Sequence, residues 1–347
     1  MKLSRRALLA RMAGLVAVAE AGLLNQAFAA ERFNWASTGG TWGETIKKAF
    51  IDTPGWPAKT GLEPVNTAQL ETVSISKIIA SKSNPPYDVS NNGPAEAVQL
   101  RDAGMALDYD LSLIPNWKDI PPQAKVGNYF GSFTIMSMGL AWNTKEAKKP
   151  TSFRDLWDRK YKGRIGVPAY GWYGQYWLHA LNKTLGGNED NISPAMRAVA
   201  DLVKQNDPIM IENAGHGMNL LEKGEIVMAP YFSGRVVALQ EKGVPVGFEY
   251  VDGTLAVGQG FVIVKGTQFA KQASMLVNNT LDPELQLIFA KFSKYPPSNA
   301  RSKLPDDLKN VAIPAGGLDR AATLDYSKVA KNQAAYLERW NKEVLAT

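Results

Sequence analysis

The chain has 347 residues, a formal net charge of +6 and no cysteine. It therefore has no disulfide framework, no thiol nucleophile and no lipid-bearing cysteine, and its stability must come from core burial, which a chain of this length supplies. Its Lys and Arg residues alternate with acids, as in Lys145-Glu146 and Glu241-Lys242, which describes a solvated surface and not a nucleic-acid track.

Residues 1–29 begin MKLSRRALLARMAGLV and end Ala27-Phe28-Ala29, the pattern of a secretory signal cleaved near Ala29-Ala30. Arg11 and Glu20 interrupt its apolar stretch, which argues against a membrane span. Ser4-Arg5-Arg6 fits a twin-arginine export signal and equally the basic start of an ordinary one, so both routes stay open. Cleavage would remove four basic residues and one acid, leaving a charge of +3.

From residue 30 onward, short runs rich in β-branched and aromatic residues predict strands over 32–36, 62–66, 87–91, 134–142, 164–169, 208–212, 226–232, 246–251 and 257–264. Helix-period segments lie at 42–51, 71–82, 94–103, 153–158, 174–185, 193–205, 216–223, 234–242, 268–278, 283–293 and 326–344. This alternation predicts an α/β fold with largely parallel sheets. No repeat or Pro/Ser linker cuts the chain. The long strands over 134–143 and 257–266 are each followed by polar or Pro-containing segments, so they read as crossings between two lobes with a cleft between them.

Five strand-to-helix junctions share polar and glycine-rich chemistry: WASTGG (35–40), SNNG (90–93), PAYGWYGQYW (168–177), ENAGHG (212–217) and PYFSGR (230–235). Ligands of open α/β sheets bind beyond the carboxyl ends of strands, where all five fall. Each one alone is also an ordinary turn. Gly39 and Gly40 turn the chain into a helix and expose its first N–H groups to a ligand, unless Ser37 or Thr38 caps them. Tyr170, Trp172 and Tyr173 precede a helix and are placed to stack on a ligand, whereas Tyr176 and Trp177 fall inside it, where core packing is the default. Arg235 opposes the dipole of the helix it begins, a cost of about 0.3–1 kcal/mol that a bound carboxylate or phosphate would offset. An exposed Arg turned to solvent is the competing reading.

Catalytic signatures are largely absent. Residues 37–41 fit neither the dinucleotide spacing nor the phosphate-loop pattern, and no G-x-S-x-G elbow is present. His179 and His216 show no metal-ligand spacing and read as structural. The acid pairs Glu189-Asp190 and Asp306-Asp307 read as solvated. The sequence calls for no cofactor and no metal.

Five stretches carry a family resemblance: WASTGGTWGETIKKAF, GLAWNTKEAKKPTSFRDLWDRKYKGRIGVP (139–168), LLEKGEIVMAPYFSGRVVALQEKG (220–243), GTLAVGQGFVIVKGT (253–267) and YPPSNARSKLP (295–305). They resemble the periplasmic solute-binding proteins of ABC importers, in the group that contains the spermidine/putrescine receptors, over nearly the whole mature chain. The resemblance implies a type II two-lobed periplasmic-binding-protein fold, each lobe a mostly parallel sheet flanked by helices. Lobe 1 would be 30–138 with 262–305, and lobe 2 would be 139–261 with 306–347. It further implies a non-catalytic monomer in the periplasm that closes on a small-molecule solute and docks on an inner-membrane ABC permease.

Receptors of this group usually offer a Trp and an Asp where this chain has Val257 and Gln259, and Trp-Ser-Gly-Asp where it has Phe232-Ser233-Gly234-Arg235. Both changes remove negative charge, so a polycation would meet a cation where it needs an anion. The expected ligand bears a carboxylate or phosphonate, with or without an amine; amino-acid conjugates and opine-type compounds are in range. Arg235 and the backbone of Ser37, Thr38, Gly39 and Gly40 would hold its acid, and Trp35, Trp42, Tyr170, Trp172 or Phe232 would cage the rest. Asn92, Tyr173, Ser233 and Gln259 complete the expected site. Polyamine recognition is one alternative, and ferric iron a minor one resting on Tyr170 and Tyr173. A secreted α/β enzyme with an anion hole at 37–40 and a sensory module presenting its ligand to a membrane receptor are the readings from other classes.

Overall fold

The computed structural model describes residues 30–346, the side chain of Trp172 excepted. The export-signal reading falls on residues 1–29 and lies outside the described residues. Strand β1 (Arg32–Ser37) buries Phe33 and Trp35 by the two-residue alternation of a pleated strand, then turns through Gly39 into α1 (Gly40–Ile46). That helix continues as a wider π turn over Lys47–Asp52. After it come α2 (Trp56–Thr60), β2 (Glu63–Ala68), α3 (Glu71–Ala80), β3 (Val89–Asn92) and α4 (Pro94–Asp102). Short 3-10 turns lead to β4 (Lys125–Val126) and the long strand β5 (Phe130–Asn143).

The chain then forms β6 (Gly166–Pro168), α5 (Gln175–Thr184), α6 (Ser193–Asn206), β7 (Ile209–Ile211), α7 (Ala214–Glu222), β8 (Met228–Phe232), α8 (Ser233–Glu241) and β9 (Val246–Glu249). Strand β10 (Leu255–Ile263) precedes α9 (Ala270–Thr280), α10 (Pro283–Ser293) and the C-terminal helix α11 (Tyr326–Trp340). The helix expected over 153–158 is a 3-10 turn, Phe153–Trp157, closed at its start by reciprocal bonds between Ser152 and Asp155. Among the described residues no helix is long and apolar enough to cross a membrane.

The architecture is mixed α/β. Eight strands join in one sheet, β2-β1-β3-β10-β5-β4, with β8 and β9 also paired to β5; β6 and β7 pair separately. Strand β1 runs parallel to β2 and β3, and β6 runs parallel to β7, as helical crossovers require. The antiparallel pairings all involve β5 or β10. These two long strands are shared by both halves of the molecule, which is why the sheet is mixed where alternation alone predicted a largely parallel one.

Two main hydrophobic cores lie at opposite ends of these strands. One gathers Phe33, Trp35, Phe50, Phe133, Phe261 and Phe289; the other gathers Leu140, Trp177, Leu202, Tyr231, Leu255 and Trp340. Strand β5 supplies Phe133 to the first and Met136, Met138 and Leu140 to the second. Strand β10 supplies Leu255 and Val257 to the second and Phe261 and Ile263 to the first. The change of side falls where the β10 register shifts, between Gln259 and Gly260, with Gln259 opposite Thr134. A further link is made by α11, which packs in the second core while the Gln333 side chain bonds Gln99 of α4.

Candidate functional site

Beside this crossing, between the two cores, lies a cavity of about 580 Å³. Its first wall is the segment Thr38–Trp42 with Gln69, Leu70 and Glu71; its second is Tyr173, Phe232, Arg235 and the start of α7 at Asn213–Gly215 with Met218. Met136, Gln259 and Tyr295 line it between the walls.

The first wall depends on its glycines. Gly39 and Gly40 have φ of 70° and 53°, in the left-handed region, and a Cβ on Gly39 would sit 2.4 Å from the Ala68 Cβ. Gly39 N–H donates to Ser37 Oγ at 3.2 Å, while α1 begins with no side-chain cap. The first-turn N–H groups, which lack intrahelical partners, therefore open beside the cavity at Gly40, Thr41 and Trp42.

Arg235 is the third residue of α8, whose first turn has no acid. Its Nε is buried without a hydrogen-bond partner, and its guanidinium lies 5.7 Å from the centre of the Tyr295 ring. Among the described residues no salt bridge to a carboxylate engages it. Arg235 is half-buried, and a guanidinium partly withdrawn from water without an anion costs free energy that a bound anion would recover.

Glu71 opens α3 from the facing wall. Its Oε2 accepts from the Gly93 N–H at 2.9 Å and its Oε1 from Gln259 Nε2 at 3.1 Å, with the Tyr173 hydroxyl at 3.5 Å. Burial, reinforced by neighbouring Glu96, pushes its carboxyl from the ordinary 4.5 up to about 8. Glu96 is itself buried and raised for the same reason, and accepts from the Tyr176 hydroxyl and from Gln175 Nε2. At neutral pH the cavity lining thus holds a cation and a protonated acid. Of its described lining side chains, only these two belong to Asp, Glu, Lys, Arg or His.

Tyr173 sits in a wide turn, Tyr170–Gly174, with φ of 58°, a strained setting for a bulky residue that costs on the order of 1–3 kcal/mol. The strain holds its ring edge-on to Phe232 at 4.8 Å and its hydroxyl 2.6 Å from Gln259 Nε2. Gln259 is 1% exposed, and its Oε1 has no partner. Trp42 donates from Nε1 to Asn91 at 2.8 Å and stands edge-on to Phe289 at 5.2 Å.

Of the residues expected from the sequence, Thr38, Gly39, Gly40, Trp42, Tyr173, Phe232, Arg235 and Gln259 line the cavity. Five others do not. Trp35 is fully buried, edge-on to Phe261 at 6.1 Å, because alternation along β1 turns it into the first core. Ser37 is spent on Gly39 and Asn66, and Asn92 is buried at the end of β3 with both its amide atoms unpaired. Tyr170 lies against Trp340 at 5.8 Å and donates to the Gln333 carbonyl, which makes it part of the strap formed by α11. Ser233 begins α8 and meets the Tyr250 hydroxyl. The side chain of Trp172 lies outside the described residues.

Glu71 was missed by the sequence reading, although an acid at a helix start following a strand is the same junction signal as at 35–40. Glu189, expected in solvent, is buried, paired with Lys183 at 2.8 Å, and accepts from the Asp325 N–H that begins α11. His179 is buried in α5, where desolvation pushes its imidazole down to about 4. Among the described residues no group of three or more His, Cys, Asp or Glu side chains is placed to hold a metal ion.

Residues 58–315 match the family described as bacterial extracellular solute-binding protein. The chain belongs to this family. The solute-binding protein is similar to the gamma-aminobutyric acid-binding protein of Pseudomonas aeruginosa, 26% identical over 173 residues, 47% of this chain and 48% of that one. The match thus spans about half the length of that curated relative. Its fold is similar to the crystal structure of an ABC transporter from Clostridium perfringens, with a TM-score of 0.73, 21% identity, and 90% and 99% of the two chains covered. It is similar too to the binding protein MotA of A. tumefaciens B6 in complex with glucopine, with a TM-score of 0.75, 19% identity, and 90% and 99% covered. The fold is that of the two-lobed periplasmic binding proteins. The family binds solutes, so the chain is a binding protein and not an enzyme, and the reading of an enzymatic anion hole at 37–40 is set aside.

Proposed function

We propose that this protein is the substrate-binding component of an ABC importer, that it works as a periplasmic monomer, and that it captures a small polar solute bearing a carboxylate or phosphonate. The observation that carries the reading is Arg235, a guanidinium in the cavity wall with its Nε buried and unpartnered. An acid placed there would form a charge-assisted pair in a desolvated setting, and Gly40–Trp42 N–H groups on the facing wall would donate to the same ligand. A cavity of about 580 Å³ is of the size that encloses one small organic molecule. The γ-aminobutyric acid and glucopine in the names of the two similar proteins are small polar molecules of this range.

In this reading the lobes are 30–138 with 262–305 and 139–261 with 306–347, and they turn about Thr134 and Gln259, a few residues inside those limits. Closure on the ligand makes a shape that the permease distinguishes, provided the ligand binds the closed form more tightly. A polyamine receptor is the second reading, since Glu71 would take one ammonium; the other end would then meet Arg235.

The test is a thermal-shift panel of polyamines, acidic amino-acid derivatives and opines, phosphonates and ferric iron, run on the mature protein and on Arg235→Ala. Stabilisation by an acid-bearing compound that is lost in Arg235→Ala is the expected result. Stabilisation by spermidine that survives the substitution overturns it.

A further inference from the structure

The cavity has a second pole. Glu71 faces Arg235's wall from the opposite side, and beside it the Gln259 Oε1 is a buried acceptor with no donor. The donors that serve the two carboxyls are assigned: the Gly93 N–H and Gln259 Nε2 go to Glu71, and the Gln175 Nε2 goes to Glu96. The Tyr173 hydroxyl accepts from Gln259 Nε2 while it lies 3.5 Å from Glu71 Oε1. An acceptor left over beside a carboxyl group describes a place for a group with several donors, which is what an ammonium offers.

Resting on the acid-capture reading above, we propose that Glu71 and Gln259 are the amine anchor of this site, so that the preferred ligand is an amino acid whose ammonium lies away from its carboxylate. The carboxylate pairs with Arg235, and the ammonium displaces the proton on Glu71 and donates to its carboxylate and to Gln259 Oε1. The expelled proton passes to solvent. Charge is then balanced at both poles: guanidinium with carboxylate, and ammonium with carboxylate. A plain acid fills only the Arg235 pole and leaves Glu71 protonated. A diamine fills the Glu71 pole and sets its second ammonium against Arg235.

The groups that face Glu71 make the exchange depend on pH in a defined direction. From α4 it meets Glu96, from the turn before α5 Tyr173, from α5 Tyr176, and from β10 the neutral Gln259; Arg235 and Tyr295 stand across the cavity. Burial and Glu96 hold Glu71 protonated up to about pH 8, and the tyrosines stay neutral well above that. The ligand's own ammonium and carboxylate do not titrate between pH 5.5 and 7.5. A proton released in that interval therefore comes from the protein.

The experiment is titration calorimetry of the full mature protein with γ-aminobutyrate, β-alanine and 5-aminovalerate, each beside its amine-free parent acid. Runs in two buffers of different ionisation heat count the protons. The expected result is that at least one amino acid binds more than tenfold tighter than its parent acid, with release approaching one proton at pH 6.5. Its affinity should rise by up to tenfold per pH unit from 5.5 to 7.5. The parent acid releases none, and in Glu71→Gln the amino acid falls towards the parent acid while the parent acid still binds. Retained binding of the parent acid shows that the variant is folded, and the proton count on the unaltered protein needs no variant. If amino acids and parent acids bind alike, or bind without proton release, or if Glu71→Gln keeps the pH slope, the amine anchor is overturned while acid capture stands. If no acid of either kind binds, acid capture itself falls and takes the anchor with it.

Discussion

The wall beside the first core contains a helix start reached through glycines, and the wall beside the second gathers aromatic side chains and a guanidinium. On the first, Thr38–Trp42 enter α1 through two glycines at positive φ, with Ala68 closed against Gly39. On the second, Tyr173, Phe232 and Arg235 project from three separate elements, and one of them is held by a strained backbone. A helix start offers N–H groups to any anion of fitting size, whereas side chains set charge and shape. Selectivity should therefore reside on the second wall, and on Glu71 as the one ionisable side chain of the first. Substitutions on the two walls should separate binding from stability.

The largest effect on binding is expected from Arg235→Ala. Truncating one partner of a desolvated charge pair costs about 2–5 kcal/mol, so affinity for an acid-bearing ligand should fall by about 30-fold or more. Arg235→Lys should recover part of it, because an ammonium keeps the charge and loses the planar fork. Calorimetry on both variants decides the matter; equal affinity in Arg235→Ala would move the seat of charge recognition elsewhere.

On the first wall the expected effect is on folding. Gly39→Ala puts an alanine at φ 70° and ψ −161°, a region essentially open only to glycine, and adds a 2.4 Å contact with Ala68, for a loss of roughly 1–3 kcal/mol of stability. Gly40→Ala also places an alanine at positive φ, but in open space, since nothing lies within 4 Å of its Cβ position, and should cost about 1 kcal/mol. Denaturant unfolding of the pair measures the difference. Equal losses would mean that the close approach of Ala68 relaxes without cost.

Glu71 connects the walls through pH. It binds its proton more tightly folded than unfolded, so its contribution to stability is full below about 4.5 and is lost as pH rises through about 8. Glu96 acts in the same direction. His179, pushed down to about 4, acts in the opposite one: its contribution is full above about 6.5 and is lost as pH falls towards 4. The measurement is therefore the difference in melting temperature between the ligand-free protein and Glu71→Gln across pH 4.5 to 8.5. The protein should lose ground to the variant as pH rises, and a flat difference would mean that Glu71 ionises freely.

The order of strands and helices was legible because most obey one period at a time: Phe33 and Trp35 alternate along β1, and the glycine pair announces the turn into α1. What could not be read was which face of a junction looks into the cavity. Tyr170 and Tyr173 lie three residues apart in one aromatic stretch, yet the wide turn and the left-handed Tyr173 send them to different places. Glu71 stayed hidden because its neighbours, Glu96, Tyr173 and Gln259, are distant in sequence and meet only where β10 changes cores. Glu189 was hidden likewise, since its partner at the start of α11 is far along the chain.

That pair of tyrosines supplies the smallest expected effect. Tyr170→Phe removes the hydroxyl that donates to the Gln333 carbonyl at 3.1 Å, leaves that carbonyl without the bond, and should lower stability by about 1 kcal/mol. Its effect on ligand affinity should be under twofold, because the ring faces Trp340 and not the cavity. Tyr173→Phe removes a hydroxyl that meets both Gln259 and Glu71, and should weaken an amine-bearing ligand several-fold while leaving its parent acid nearly unchanged. If Tyr170→Phe weakened binding as much as Tyr173→Phe, α11 would be coupled to the cavity, and the strap it makes between α4 and the second core would belong to the closing motion itself.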